Sequence, residues 1–180
     1  MSDGGLFVVA YPEVSAKDRD WIETTRRAHD PNAHRIAAHF TLVFDVTGVP
    51  VEHVRDHLRS IAKRESAIPF ICRKVTLGHD HQSAVCYAFL VPDEGRPKID
   101  LLRTRLHTGL LAHQLRPEIP FIPHITLGSG VDEVAIDTQC KALSEQMHPV
   151  EGVLDKLTLI EVTAEALVEI ETFPLLSQVE

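Results

Sequence analysis

The pattern His-x-Thr-Leu occurs twice in this chain, as HFTL at residues 39–42 and as HITL at residues 124–127. Both copies lie in short apolar segments, AAHFTLVF and PHITLG, whose composition is typical of β-strands. The chain's own frequencies of His, Thr and Leu predict roughly 0.1 chance occurrences of the pattern, so two copies indicate a duplicated unit. The fold must therefore provide two similar halves.

The elements predicted around the two copies repeat in the same order. Each half is expected to contain a strand, a helix, the motif strand, a second helix and a closing strand, and one more strand ends the chain. The predicted strands cover residues 6–11, 34–46, 68–77, 84–91, 121–128, 153–162 and 166–173. The predicted helices cover roughly residues 15–27, a segment that begins at about residue 50, and residues 99–113 and 131–147. This order favours an α+β fold with two pseudo-symmetric lobes.

The chain is expected to form one domain spanning residues 1–180, with repeat halves at about 1–80 and 81–180. A repeat of this length exceeds that of a solenoid, and no low-complexity linker separates the halves. The formal net charge of -8 argues against a surface that holds long nucleic acid by neutralising phosphates. A few local donors can still hold a small nucleotide or the end of an RNA.

Cysteine usage and the apolar segments predict a cytoplasmic protein. The three cysteines, Cys72, Cys86 and Cys140, show no C-x-x-C spacing, so we expect buried reduced thiols rather than disulfides or a zinc knuckle. The N-terminal residues do not resemble a signal peptide, and no stretch approaches membrane-spanning length. We expect no membrane partner and a monomer.

Each motif is predicted to present one imidazole and one hydroxyl on the same face of its strand. Residues i and i+2 of a strand share a face, so His39 pairs with Thr41 and His124 pairs with Thr126. Imidazoles with a pKa near roughly 6.5 can share acid and base roles near neutral pH. Threonine hydroxyls can donate to the oxygens of a phosphoryl group. If the two pairs meet across one groove, they suit hydrolysis of a phosphodiester, especially a strained cyclic one, with no metal or cofactor. A duplication that preserves the pattern without any chemistry is the alternative.

At these residues the chain resembles the 2H phosphoesterase superfamily, which is defined by two H-x-[ST]-hydrophobic motifs, and within it the bacterial proteins related to 2'-5' RNA ligase and RNA 2',3'-cyclic phosphodiesterase. The resemblance implies a bilobal α+β fold with antiparallel sheets around a central cleft and helices outside. It also implies metal-independent opening of a 2',3'-cyclic phosphate, with His39 and His124 as acid and base and with Thr41 and Thr126 on the phosphate.

One position departs from the pattern of some relatives, which carry an arginine in H-x-T-L-x-R. Here Gly128 and Ser129 follow the second motif, so that contact with the anion is missing or comes from elsewhere. We therefore expect a cyclic phosphodiesterase whose substrate is an RNA end or a small nucleotide. The alternatives are another nucleotide phosphodiester, 2'-5' ligation, or an RNA- or nucleotide-binding module without turnover. The near symmetry of the motifs does not show which histidine is the acid.

Several other residues are weaker candidates. The segment GHDH at residues 78–81 is either a metal-binding pair, His79 and His81, or an ordinary turn, and the turn is favoured. The possible base-stacking side chains and phosphate-binding arginines are more often core or solvated residues. The aromatic candidates are Tyr11, Phe44 and Phe121, and the arginine candidates are Arg35, Arg73 and Arg103.

Overall fold

The structure is a computed structural model and describes residues 5–81 and 83–177; residues 1–4, 82 and 178–180 of the predicted single domain lie outside the described residues. In chain order the elements are β1 (Gly5–Ala10), β2 (Glu13–Val14), α1 (Ala16–His29), β3 (Phe40–Val46), α2 (Val51–Ala62), β4 (Ile68–His79), β5 (Cys86–Glu94), α3 (Arg96–Leu106), a 3₁₀ helix (Gly109–Gln114), β6 (Ile125–Gly130), α4 (Glu133–Gln146), β7 (Val150–Leu154), β8 (Lys156–Val162) and β9 (Leu167–Pro174).

Two antiparallel sheets form the two lobes. Sheet A has the strand order β3-β1-β8-β9, and sheet B has the order β2-β7-β4-β5-β6. The pairings between these strands are all antiparallel. Each motif strand, β3 or β6, lies at an edge of its sheet beside the first strand of its repeat, β1 or β5. The predicted α+β fold is confirmed.

The closing strand of each repeat joins the sheet of the other repeat. β4 ends the first repeat and pairs with β5, for example at Val75↔Leu90. β8 ends the second repeat and pairs with β1, for example at Val8↔Leu159. The lobes therefore do not follow a division near residue 80, because each sheet contains strands from both halves of the chain.

Helices α2 and α4 cover the sheets. The buried face of α2 is formed by Val54, Leu58 and Ala62, and α2 packs against β8 and β9. α4 packs against β4, β5 and β6, and its N-cap Asp132 accepts a hydrogen bond from the backbone N–H of Ala135 at 3.1 Å. The side-chain acceptor satisfies one of the free N–H groups at the helix start.

Helix α1 begins where the sequence predicts and packs against β6 of sheet B. Ser15 is its N-cap and accepts a hydrogen bond from the backbone N–H of Asp18 at 3.1 Å, as the S-x-x-D pattern indicates. The helix extends to His29, two residues beyond the predicted end at about Arg27. In chain order α1 lies between β2 of sheet B and β3, the motif strand of sheet A.

Four predicted elements were wrong in extent. The strand predicted at residues 121–128 begins only at Ile125. The strand predicted at residues 153–162 is two strands, because the chain leaves sheet B after Leu154 and enters sheet A at Lys156. The helix predicted at 99–113 divides into α3 and the 3₁₀ helix. Residues 34–39 form turns and bends before β3, partly because the backbone N–H of Arg35 bonds to the carbonyl of Asn32. A continuous apolar run does not show where a strand changes its partner.

Buried side chains of both sheets and of the helices form one continuous apolar core. The core includes all three cysteines, which are free thiols as predicted. Within residues 5–81 and 83–177, no helix has both the length and the apolar composition needed to cross a membrane.

Candidate active site

The two motif histidines occupy equivalent places in the two lobes. His39 immediately precedes β3, and His124 immediately precedes β6. The predicted alternation of faces is confirmed, because the residues between and after each His/Thr pair are fully buried. These anchors are Phe40, Leu42, Ile125 and Leu127. Each motif therefore fixes its strand in the core by its apolar positions, and this leaves its polar positions partly exposed.

Both imidazoles are held in the same way by the backbone. Nδ1 of His39 lies 2.8 Å from the carbonyl oxygen of Ala37, and Nδ1 of His124 lies 2.7 Å from that of Ile122. A carbonyl oxygen only accepts, so Nδ1 donates in both rings and the neutral form carries its lone pair on Nε2. The two repeats thus present the same nitrogen, Nε2, for proton transfer.

A cavity of about 310 Å³ brings the two motifs together between the sheets. His39 and Thr41 line it from sheet A, and Thr126 and Tyr87 line it from sheet B. His124 stands close enough to His39 for a charge on one ring to lower the pKa of the other. Most other lining side chains from sheet A are apolar: Phe7, Val9, Phe44, Ile160, Val162 and Leu167. The cavity is thus polar at the motif residues and apolar along the rest of sheet A.

Burial lowers the pKa of both histidines. Desolvation lowers the pKa of His124 to about 4, against an opposing effect of its hydrogen bond to Ile122. Desolvation also lowers the pKa of His39, and its hydrogen bond to Ala37 opposes this. Both imidazoles are therefore neutral at pH 7 when the cavity holds no anion. A bound phosphate would favour the protonated form of the nearest ring, because opposite charges raise the pKa of a base.

An aromatic stack supports His124. The ring of Phe89 lies parallel to the imidazole with centroids 3.5 Å apart, and Tyr87 stacks on Phe89 at 5.4 Å. Both aromatic residues belong to β5, where Phe89 is paired with Thr126 of the motif strand. These two residues were not among the candidates predicted from the sequence. Their i, i+2 spacing in a predicted strand was the available signal, since it places two rings on one face.

A network of charged side chains on α1 supports the segment before His39. Glu23 Oε1 accepts a hydrogen bond from the backbone N–H of Ala38 at 2.7 Å, and Arg26 Nη2 donates to the carbonyl of Ile36 at 2.8 Å. Arg26 is only 2% exposed and forms ion pairs with both Glu23 and Asp30. This network was not predicted from the sequence, because charges at helical i, i+3 and i+4 spacing usually belong to a solvated face.

The model of the 2'-5' RNA ligase superfamily matches residues 12–165 of this chain, a range that includes both motifs. The chain belongs to this superfamily. The match confirms the resemblance to the 2H phosphoesterases that the twin motif indicated.

Relatives of this superfamily member carry phosphoesterase names. A Bacillus cereus (strain B4264) protein named "Putative phosphoesterase" is 25% identical over 130 residues, which are 71% of this chain and 71% of that protein. A Geobacillus kaustophilus (strain HTA426) protein of the same description is 29% identical over 112 residues, 61% of each chain.

Solved structures of similar proteins show the same fold. Escherichia coli LigT complexed with 3'-AMP has a TM-score of 0.56 at 20% identity and covers 96% of this chain and 98% of its own. TT0787 of Thermus thermophilus has a TM-score of 0.57 at 20% identity, over 97% of this chain and 100% of its own. At this level of identity the likeness concerns the fold.

Gly128, the residue directly after the second motif, has a packing role in this superfamily member, whereas the position of the arginine in some relatives is Ser129 here. A Cβ atom on Gly128 would lie 2.9 Å from the Cβ of His29 and 3.0 Å from the amide nitrogen of Gln139. Glycine therefore permits the close approach of α1 to β6 at this position. The arginines that line the cavity are instead Arg26, which is buried in its ion pairs, and Arg35, which is exposed.

The other candidates divide between the cavity and the remaining surface. Arg35 and Phe44 line the cavity, and Tyr11 lies edge-on to His39 with centroids 6.3 Å apart. Arg103 instead stacks over the ring of Phe121 at 4.4 Å. Arg73 forms ion pairs with two carboxylates of β5, those of Asp93 and Glu94.

Proposed function

We propose that this protein is a metal-independent phosphodiesterase that opens a 2',3'-cyclic phosphate to a phosphomonoester. The observation that carries the proposal is a single cavity lined by His39, Thr41 and Thr126, with the imidazole of His124 close enough to His39 for the two rings to interact electrostatically. Both imidazoles are anchored through Nδ1. Such a set supplies a base, an acid and donors for the phosphoryl oxygens from side chains alone. The family and the names of its relatives support the coarser class of phosphoesterase.

In the proposed reaction, one neutral imidazole removes a proton from water through Nε2 while the water oxygen bonds to phosphorus. The bond between phosphorus and one ribose oxygen breaks, and the second histidine, protonated on Nε2, gives its proton to that oxygen. Thr41 and Thr126 donate hydrogen bonds to the non-bridging oxygens, where negative charge accumulates. The products are a phosphomonoester and a free ribose hydroxyl, and exchange of protons with solvent resets the two rings.

We assign the general acid to His39 and the general base to His124. The carboxylates of Asp30 and Glu23 favour the protonated form of His39, although Arg26 opposes them, whereas His124 stacks on the uncharged ring of Phe89. A base must be neutral before the reaction and an acid must be charged. The negatively charged carboxylates near His39 therefore fit the role of general acid, and the apolar surroundings of His124 fit the role of general base.

A nucleotide or an RNA end is the proposed substrate class. The cavity places the apolar wall of sheet A next to the motif groups, and such a wall suits a base while the motif groups hold the phosphate. The similar fold of LigT has been solved with 3'-AMP, ATP, NADP+ and phosphate, which supports a phosphorylated nucleoside. The acidic net charge favours a terminus over a long duplex.

The direct test uses a 2',3'-cyclic mononucleotide and an oligonucleotide that ends in a cyclic phosphate, each with and without EDTA. We expect chelator-resistant hydrolysis that falls at least about a hundredfold in His39→Ala and in His124→Ala. His53→Ala is the matched control, because His53 is an exposed histidine on α2. Full activity in either motif variant would contradict the mechanism, and binding without turnover would favour a nucleotide-binding module.

The assignment of acid and base has its own test. An aryl phosphodiester has a good leaving group and needs little protonation, so His39→Ala should retain most of its rate on that substrate. His124→Ala should be slow on both the aryl and the cyclic substrate, because water still needs a base. The opposite pattern of retained rates would reverse the two roles.

Ligation is a second candidate, favoured by the description of the matching family as the 2'-5' RNA ligase superfamily. In that reaction the 5' hydroxyl of a second RNA would take the place of water and form a 2'-5' linkage. Incubation of an RNA that ends in a cyclic phosphate with a 5'-hydroxyl RNA would show it as a longer product. If the assay yields only RNA with an opened cyclic phosphate and no longer product, the enzyme catalyses hydrolysis and not ligation.

A further inference from the structure

Three potential metal ligands meet at the turn end of the β4–β5 hairpin. They are His79, the last residue of β4, Cys86, the first residue of β5, and Glu133, the first residue of α4. Their ligand atoms all lie within 4.8 Å of one another, and His79 Nε2 is 3.5 Å from Glu133 Oε1. We propose that these three residues, the hairpin site, bind a zinc ion.

The backbone brings the hairpin site together on three regular elements. His79 and Cys86 are direct partners in the β4–β5 register, so their side chains lie on the same face of sheet B. α4 packs across this face through Ile136 and Cys140, and its first turn places Glu133 above the pair. Ligands on strands and helices are held more firmly than ligands on loops, which reduces the cost of ordering them around an ion.

The hairpin site lies on the face of sheet B that is opposite to the cavity. Successive residues of a strand point to opposite faces, and Tyr87, next to Cys86, lines the cavity. Cys86 is buried beneath α4, whereas His79 and Glu133 are exposed. An ion at this position would be reached from solvent. It would link the β4–β5 hairpin to α4 and would not contact His39 or His124.

The donor set favours zinc over the hard cations. Thiolate, imidazole and carboxylate are the protein ligands of Zn²⁺, whereas Ca²⁺ and Mg²⁺ prefer oxygen ligands alone. Zinc–ligand bonds of about 2.0–2.3 Å place tetrahedral donor atoms about 3.5 Å apart. Small movements of the exposed His79 and Glu133 side chains would bring the three ligand atoms to that separation. The Cys86 thiol would lose its proton to solvent on binding, and a water molecule would complete the four ligands.

The sequence offered a different partner for His79. The segment GHDH suggested a pair with His81, but His81 is exposed in the turn and is not one of the three clustered ligands. The cross-strand register supplies Cys86 instead, and the helix start supplies Glu133. His81 is therefore the matched control for any experiment on the site.

Cobalt and zinc titrations of the intact protein, first freed of metal with a chelator, test the proposal. We expect one Co²⁺ per chain, with a thiolate charge-transfer band in the ultraviolet and the visible bands of a tetrahedral ion. We expect His79→Ala and Glu133→Gln each to weaken zinc binding by more than about tenfold, since even loss of an outer partner of a metal ligand costs that much. His81→Ala should bind as the wild type does.

Thermal unfolding gives a second readout that does not depend on catalysis. A ligand that binds only the folded state raises Tm, so saturating zinc should raise Tm in the wild type and in His81→Ala but not in His79→Ala. Cys86→Ser should lose the charge-transfer band; if this variant fails to fold, the wild-type band and the His79→Ala titration still decide. Absence of the band, or zinc binding that is unchanged in His79→Ala and Glu133→Gln, would overturn the proposal.

Discussion

The Glu23 carboxylate on α1 accepts a 2.7 Å hydrogen bond from the backbone N–H of Ala38, the residue directly before His39. A charged hydrogen bond of this kind is worth about 1.5–3 kcal/mol. It connects a helix that packs on sheet B to the motif strand of sheet A. Glu23 therefore acts on the proposed chemistry through the position of His39.

Substitutions of Glu23 should separate its effect on the position of His39 from the effect of its charge on the pKa of His39. We expect Glu23→Ala to lower kcat about tenfold, which corresponds to roughly 1.4 kcal/mol, with little change in KM. Glu23→Gln keeps an oxygen that accepts from Ala38 and should recover most of kcat. Glu23 raises the pKa of His39, so both variants should lower that pKa and move the alkaline limb of the pH–rate profile to lower pH.

The control for Glu23 is Glu52→Ala, which removes an exposed carboxylate that pairs with Arg55 on α2. This variant should leave both kcat and the pH profile unchanged. Equal loss of kcat in Glu23→Gln and Glu23→Ala, with no change in the profile, would point to a general loss of folding instead of a positioning role.

The two threonines of the motifs should each contribute to the rate. Thr41→Val and Thr126→Val keep the shape of the side chain and suit a strand, but they remove the hydroxyl donor. Loss of one donor to a developing oxyanion costs about a hundredfold or more in kcat. We expect losses of that size, with KM and Tm nearly unchanged, from steady-state kinetics and thermal unfolding.

Thr47→Val is the control for the two motif threonines, because Thr47 is an exposed threonine just beyond β3. It should behave as the wild type. If Thr41→Val and Thr126→Val kept full kcat, the phosphoryl oxygens would have to be held by other groups.

Acid should destabilise the protein through His124. Its pKa is about 4 in the folded protein and about 6.5 in an unfolded chain, so the unfolded state binds more protons between these values. This part of the stability is fully present above about pH 6.5 and is lost as the pH falls toward 4. Urea unfolding of the wild type and of His124→Asn at pH 7 and pH 4.5 measures the effect.

We expect His124→Asn to lose less stability than the wild type over this interval, because asparagine does not titrate. His53→Asn, at an exposed position, should retain the wild-type dependence on pH. An identical dependence in His124→Asn and the wild type would show that the folded protein does not depress the pKa of His124.

Arg35 should bind the negative charge of the substrate in place of the arginine that some relatives carry after the second motif. It lines the cavity, and its Nη2 donates to the carbonyl of Thr163 at 3.0 Å. We expect Arg35→Ala to raise KM about fivefold, equivalent to about 1 kcal/mol, with kcat unchanged. KM should also become less sensitive to salt, because one screened charge pair is gone.

Arg73→Ala is the matched control, because Arg73 is paired with Asp93 and Glu94 on β5. It should leave KM and its salt dependence unchanged. A wild-type KM in Arg35→Ala would exclude Arg35 from substrate binding.

A side chain at position 128, where α1 meets β6, should destabilise the folded protein. In Gly128→Ala the new methyl group would meet the Cβ of His29 at 2.9 Å, and the backbone of the helix would have to move. We expect a loss of about 1–3 kcal/mol in the free energy of unfolding, measured by urea. Gly130→Ala is the control, because its methyl group would meet only the flexible end of Ile136 at 3.3 Å. A smaller loss at Gly128 than at Gly130 would contradict the packing at this contact.

Much of the fold followed from local patterns. The alternation around both motifs predicted which positions are buried, and Phe40 and Ile125 are fully buried as expected. The start of α1 near residue 15 and the start of α2 near residue 50 were also predicted. These features depend on residues a few positions apart, and the periods of strands and helices express such neighbours directly.

The extent of several elements could not be predicted in this way. The segment of residues 153–162 keeps one apolar pattern, yet it divides at Asp155 between two sheets. Its two parts pair with β4 and with β1, which lie far away in sequence. Such pairings are chosen by packing across the whole domain, and local hydrophobicity carries no record of the partner.

The sequence by itself determined that each motif presents a histidine and a threonine from one strand face, because that follows from the two-residue period of a strand. Tertiary structure alone decided that both motifs line one cavity, since each sheet is completed by a strand from the other repeat. It also gave His39 a charged neighbourhood on α1 and His124 an aromatic one on β5. Two nearly identical motifs differ in chemistry because the side chains around them come from distant parts of the chain.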